Sequence, residues 1–344
     1  MKKRTILRNG VTLIISLTVI LIWVLTYGAF IYTLLGGYAL GVKVPLYVVI
    51  FPLFAGYVPF PSKEVYWLLF TFIVITISGI FILRDFFGYV KKPDHRENFG
   101  RFSELFAVVI SFTLLSYFIS VIFTQQSNPF GNPVSSEPTN VILLSLMHAP
   151  VWEEIVYRTL LLGLPLYLIS FRNKLPWYRA FVGGGFSVKN RSSIIMLLLS
   201  SFFFGSAHLY SWEPAKFPSV FIAGIILGYV FLRYGIYASI TMHFLVDFSG
   251  SYSFLNGQLW IIASTVLGLF MILWFVVGIP YYFIYLGEIF SGKKVDRSKE
   301  KEMENLVLGY RIQCPYCGFD QFRYLEDGSL QCLRCGSKFR LEKK

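Results

Sequence analysis

Two groups of residues stand out by type and spacing. The first is a set of ionisable side chains embedded in long apolar stretches: Glu153, Glu154 and Arg158 in one, His208 near the end of a second, His243 and Asp247 in a third. A charged group at bilayer depth costs about 2.5 to 3.5 kcal/mol on insertion scales, so such a cluster is read first as functional. On a helix Glu154 and Arg158 lie four apart and can pair, whereas Glu153 is turned about 100° away and has no local cation. His243 and Asp247 are also four apart, which lets the carboxylate hold or orient the ring. Three helices thus present two imidazoles and three carboxylates, groups that accept and deliver protons.

The second group is the four cysteines, all near the C-terminus: Cys314 and Cys317, fourteen intervening residues, then Cys332 and Cys335. Two such knuckles match the spacing at which paired thiolates close a tetrahedron around zinc at about 2.3 Å. Gly318 and Gly336 follow each pair, and Asp327 with Gly328 reads as a tight hairpin turn. The tail resembles a zinc ribbon of archaeal or bacterial type. With all four positions filled by protein a zinc there is structural, and the module suits docking of a protein partner or regulation. Only Arg323, Arg334, Lys338 and Arg340 speak for nucleic acid, which is disfavoured.

The elements that must position these groups follow from composition. Of 344 residues 55% are apolar, 19% aromatic and only 15% charged, with a mean hydropathy of +0.60. Ordinary soluble domains carry roughly a quarter charged residues, so a water-soluble globule, a disordered chain and a disulfide-stapled secreted domain are all excluded. Apolar runs near the roughly 20 residues a spanning helix needs recur at 11–35, 66–83, 104–124, 141–170, 194–209, 218–233, 236–248 and 257–286. The expected fold is an all-α polytopic membrane protein of about eight transmembrane helices with a small C-terminal β zinc ribbon. A ninth stretch, 44–62, carries Pro45, Pro52, Pro59 and Pro61 and reads as re-entrant or interfacial rather than a straight helix. Residues 1–286 form the transmembrane domain, 287–311 a charged linker with a short helix around 299–308, and 312–344 the ribbon.

Charge placement orients the chain. The excess of 31 basic over 19 acidic residues, formally +12, lies in loops and tails that flank the spans, where anionic lipid of the bilayer attracts it. The 84–103 and 171–193 loops are rich in Lys and Arg, while 125–140 and 249–256 contain neither. Positive-inside counting therefore places the N-terminus, both basic loops and the ribbon in the cytoplasm of a multi-pass cell-membrane protein. The first apolar run is too long for a signal-peptide core and reads as a retained anchor.

The membrane residues resemble a known family. The stretch from Glu153 and Glu154 to Arg158 is similar to its first motif, EExxxR; Phe204 to His208 to its second, FxxxH; and His243 to Asp247 to its third, His-xxx-Asn or Asp. All three occur in order over roughly 140–250, the pattern of the CPBP or ABI family of CAAX prenyl endopeptidases and bacteriocin-processing or immunity-related membrane proteins. The resemblance implies an intramembrane endopeptidase acting on a membrane-anchored or lipidated protein, including a prenylated CAAX-like tail. Carried over, Glu153 is the general base that activates water with His208. His243 and Asp247 stabilise the oxyanion or share a catalytic metal with His208, and Glu154 with Arg158 braces the site.

One departure is informative. Many members have Asn at the last position, which can donate to an oxyanion; an ionised Asp247 can only accept. Three carboxylates against one Arg158 leave two negative charges, which a divalent ion, a second zinc, would neutralise with both imidazoles neutral. No HExxH helix is present. Rival readings are an ion- or proton-coupled transporter, against which no internal repeat is visible, and a noncatalytic membrane scaffold or immunity-type protein. Elsewhere, His148 lies about 140° round the helix from Glu153 and reads as a packing or cap residue near Pro150. His95 reads as solvated, Gly224 and Gly228 form a GxxxG for close helix approach, and Ser145 and Ser206 lack a base-and-acid set for a serine protease.

Overall fold

A computed structural model describes residues 2–35, 47–49, 55–57, 63–91, 100–131, 139–169, 177–184, 186, 188, 190–210, 212–250, 257–290, 322–325, 329–332 and 336–339. Two compact units are distinguished, Met1–Ile284 and Tyr285–Lys344.

The first unit is helical. Helix α1 (Lys2–Leu35) is followed by a two-stranded antiparallel hairpin, β1 (Tyr47–Val49) and β2 (Ala55–Tyr57), in which Tyr47 faces Tyr57. The hairpin lies within the proline-dense stretch, where the ring removes backbone donors that a helix would need. Then come α2 (Lys63–Lys91), α3 (Arg101–Thr124), α4 (Thr139–Glu154), a π-helical segment (Ile155–Gly163), α5 (Leu164–Ile169), the single turn α6 (Arg179–Val182), α7 (Arg191–His208), a 3-10 turn (Pro214–Lys216), α8 (Phe217–Tyr234), α9 (Ile236–Gly250) and α10 (Gly257–Phe290).

The protein is a multi-pass membrane protein, and its apolar runs do not all play one part. Among the described residues five helical stretches are long and apolar enough to cross a bilayer: Asn9–Gly28, Phe72–Lys91, Arg101–Thr124, Pro214–Tyr234 and Ser264–Tyr285. The expected spans at 141–170, 194–209 and 236–248 are not among them, so the count of eight is not reproduced. Each of the three is interrupted, polar or short. The first passes from α-helix to π-helix just after Glu154, the second holds Ser200, Ser201 and Ser206, and α9 has 15 residues. A helix of that length reaches about 22 Å, short of a hydrocarbon core of about 30 Å. These are the segments that carry the ionisable cluster.

Packing holds them against neighbouring helices, with α7 keeping an exposed apolar face at Ile194, Ile195, Leu198, Leu199 and Phe202. Helix α9 contacts α8, α4, α2 and α3, and α7 lies along α8. Gly224 and Gly228 set the α7–α8 approach: a Cβ at Gly224 would press on Ser201 and Phe204, and one at Gly228 would overlap Leu197. This is the close contact that small residues four apart permit. On the other side α10 seats Trp274 against Phe106, and its indole Nε1 donates to Thr18 Oγ at 2.9 Å. Outward faces stay apolar, with Ile80, Ile122, Leu269, Ile272 and Phe283 exposed, as lipid-facing positions should be.

In the second unit β3 (Phe322–Tyr324), β4 (Leu330–Cys332) and β5 (Lys338–Phe339) form an antiparallel sheet in the order β3-β4-β5. Cys332 ends β4 and is buried. Its carbonyl accepts from Gly336 N at 3.0 Å, and its own N–H donates to Ser337 O at 3.0 Å, a reversal made with Gly336 at φ +74°. That left-handed conformation suits glycine. Cys314, Cys317 and Cys335, the expected turn at Asp327 and Gly328, the linker helix at 299–308 and His95 lie outside the described residues.

Candidate active site

Glu153 and Glu154 are consecutive and so point about 100° apart from the end of α4. Glu154 turns inward and is wholly buried, with every face engaged. Its Oε2 accepts from Arg158 Nε at 3.1 Å and from the Ser239 hydroxyl, and its Oε1 accepts from His243 Nδ1 at 2.9 Å. The expected i, i+4 pair of Glu154 and Arg158 is thus present, with both side chains at 0% exposure. Arg158 also donates from Nη1 to Ser200 Oγ at 3.0 Å and lies 4.8 Å over the Phe204 ring. Ser200 in turn donates to Tyr157 O at 2.6 Å. This ties the π-helical segment to α7.

Glu153 turns the other way, onto a cavity of about 700 Å³. Its side chain keeps 23% exposure, and its Oε2 accepts no hydrogen bond among the described residues. Two imidazoles face that oxygen: His243 Nε2 at 3.6 Å and His208 Nε2 at 3.9 Å. The three helices therefore do bring Glu153, His208 and His243 together. Asp247 stands beside them, its Oδ2 3.5 Å from His243 Nε2.

The tautomers follow from the partners. His208 Nδ1 is 2.9 Å from Phe204 O, a carbonyl that only accepts, so Nδ1 carries the proton. His243 Nδ1 faces the Glu154 carboxylate and donates likewise. It is Glu154 that orients His243, where the sequence spacing pointed to Asp247; the i, i+4 neighbour instead lies beside the opposite ring nitrogen. In the neutral ring each Nε2 then presents a lone pair toward a carboxylate that also has only lone pairs. Such a collection of acceptors calls for a donor between them, supplied by water, a proton or a cation. By type the set suits a divalent ion. Among the described residues, however, no three His, Cys, Asp or Glu side chains form a closed metal-holding group.

The match to known proteins falls on these same residues. Residues 135–249 match the family model described as Rce1-like, type II CAAX prenyl endopeptidase. Over this segment the chain is similar to that family. The segment contains Glu153, Glu154, Arg158, His208, His243 and Asp247, so the similarity to CAAX-type peptidases falls on the ionisable cluster. Neither the curated proteins nor the solved structures yielded a match.

Several residues of this site were not legible from motifs. Ser239 binds Glu154 and lies four before His243, so the helical spacing that paired His243 with Asp247 could have found it. Ser200 had no such signal. Lys216 lines the cavity at the turn before α8, outside the apolar run where attention falls. His148 is buried in edge contact with Trp152, their centroids 6.0 Å apart, and takes the packing position expected of it.

Proposed function

We propose that the protein hydrolyses a peptide bond of a membrane-associated or lipidated substrate, a prenylated CAAX-like tail included, with Glu153 as general base. One observation carries the assignment between the two glutamates: Glu154 is sealed and fully bonded, whereas Glu153 opens on the cavity with a carboxylate oxygen unbonded. Only the second can take a proton from a water in that cavity. The water oxygen attacks the carbonyl carbon as its proton passes to Glu153; the C–N bond then breaks as that proton goes to the amine nitrogen. His208, its Nδ1 tied to Phe204 O, offers Nε2 to the same water. His243, held by Glu154 and flanked by Asp247, lies beside the same Glu153 oxygen; with its Nδ1 proton committed to Glu154, it would serve the oxyanion only with a second proton on Nε2. Glu154, Arg158, Ser239 and Ser200 keep that geometry.

A zinc at this site would be held by His208, His243 and Asp247 and would supply a Lewis acid for the carbonyl. The tail is proposed to hold a separate, structural zinc through Cys314, Cys317, Cys332 and Cys335, supported by the buried Cys332 and the Gly336 reversal. Its function is then to dock a protein partner or regulate the enzyme. The decisive experiment incubates the purified protein with membrane-anchored peptides, prenylated and unprenylated, and measures metal on the same preparation. Cleavage is expected, with one zinc lost on Cys314→Ser; a second zinc lost on His243→Ala would establish the catalytic ion. Absence of cleavage across the whole set would refute the peptidase reading.

The orientation proposed is N-terminus and tail cytoplasmic, from the Lys and Arg distribution. The cavity is then lined at one end by Asn128, Phe130 and Gly131 of the outer loop. A membrane-impermeant maleimide added outside is expected to label Ser127→Cys; labelling from the cytoplasm alone would invert the topology.

A further inference from the structure

A tetrahedral intermediate at this site would carry its negative charge beside two carboxylates, Glu153 and Asp247, both on the cavity wall. Something must donate to it, and most polar groups nearby are already committed. His208 and His243 each spend Nδ1 on a protein acceptor, and His243 Nε2 is flanked by Glu153 at 3.6 Å and Asp247 at 3.5 Å. Arg158 is sealed beneath, held by Glu154 and Ser200. Ser239 donates to Glu154, and Ser219 donates to Lys216 O. Asp247, where an Asn would donate, can only accept when ionised.

One cation among the described residues lines the cavity, and it is Lys216. Its backbone is pinned: Trp212 N donates to His208 O at 2.9 Å, Glu213 N to Phe130 O at 3.1 Å, and Lys216 N to Glu213 O at 2.9 Å. This connection returns the chain from His208 to the cavity. The ammonium lies over the Trp212 ring, 2.7 Å from its centroid, a contact that holds a cation without using a carboxylate. No carboxylate of the described residues comes within ion-pair distance of it, and it shares the cavity wall with Glu153 and Asp247.

We propose that Lys216 is the electrophilic donor of this site, its ammonium hydrogen-bonding the oxyanion that Asp247 cannot serve. The inference rests on the peptidase reading above. As the water oxygen bonds to the carbonyl carbon, the carbonyl π pair moves onto its oxygen, and Lys216 holds that oxygen without giving up its proton. The proton removed from water resides on Glu153 until it reaches the departing amine. The charge count closes more nearly than before: Glu153, Glu154 and Asp247 against Arg158 and Lys216 leave one negative charge, which a single proton on the cluster neutralises.

The test compares wild type with Lys216→Met, Lys216→Gln and Lys216→Arg on the membrane-anchored peptide that wild type cleaves. Its phosphinate analogue, whose tetrahedral anion resembles the intermediate, is titrated alongside. For Lys216→Met kcat is expected to fall about 10²- to 10³-fold, the scale seen when an oxyanion donor is removed. KM should stay within about threefold, and phosphinate affinity should fall by the same factor as kcat. Lys216→Arg should recover at least about tenfold, and Lys216→Gln, close in shape but uncharged, should behave like Met. A kcat within about threefold of wild type for Met and Gln, a loss confined to KM, or unchanged phosphinate affinity would each overturn the proposal. If Glu153→Gln is inactive while Lys216→Met is not, only this inference falls; if Glu153→Gln turns over as wild type does, the assignment of the base falls and takes this one with it.

Discussion

Glu153→Gln is expected to lower turnover by about 10²- to 10⁴-fold, the usual worth of a positioned general base, while leaving the protein folded. The substitution keeps shape and removes only the capacity to take up a proton. Stability should barely change, because Glu153 Oε2 accepts no hydrogen bond among the described residues and the side chain keeps 23% exposure on the cavity. A Gln amide can even donate to the Nε2 lone pairs of His208 and His243. Cleavage of a membrane-anchored peptide followed by mass spectrometry, with a thermal melt on the same sample, reads both quantities. Equal turnover in variant and wild type would remove Glu153 from the chemistry.

Arg158→Met is expected to do the opposite, acting on stability first. Arg158 is fully buried and is the cation bonded to Glu154, so its removal strands a carboxylate where no water reaches. Breaking one side of a buried pair costs about 3 to 5 kcal/mol, which for a unit of this size corresponds to a fall in Tm on the order of 10 °C. Methionine fills most of the volume, so the loss reports charge rather than a cavity. Folded material that survives should also turn over slowly, since a Glu154 without Arg158 no longer fixes His243 through Nδ1. A melt indistinguishable from wild type would show that the pair does not brace the site. The two variants separate the neighbouring glutamates into the one that reacts and the one that holds.

Much of the site could be read locally. The pairing of Glu154 with Arg158 follows from residues four apart on one helix, and the distance of 3.1 Å bears it out. The same rule put Asp247 beside His243, where it stands 3.5 Å from Nε2, while the partner of Nδ1 comes from another helix. The count of eight spans is not reproduced among the described residues, for a related reason. Hydropathy counts how apolar a segment is, and α7, α9 and the α4 to π-helix stretch are apolar enough to attract notice. Each is nevertheless short, interrupted or polar enough to fall outside the stretches that can span by length and composition among the described residues. Lys216 escaped notice because nothing in a turn between two apolar runs says that it faces a cavity.

The sequence by itself determined the class of molecule, the three motifs, their order and the local ion pair, because composition and i, i+4 spacing act within a single segment. Only the tertiary structure decided which glutamate meets the cavity, which ring nitrogens are spoken for, and that a lysine from the α7–α8 connection reaches the same space. Those outcomes depend on how each helix is rotated about its axis and how closely its neighbours approach. That rotation is set jointly by packing at residues such as Gly224, Gly228 and Ser200, on different helices, and by hydrogen bonds that no one helix can satisfy alone.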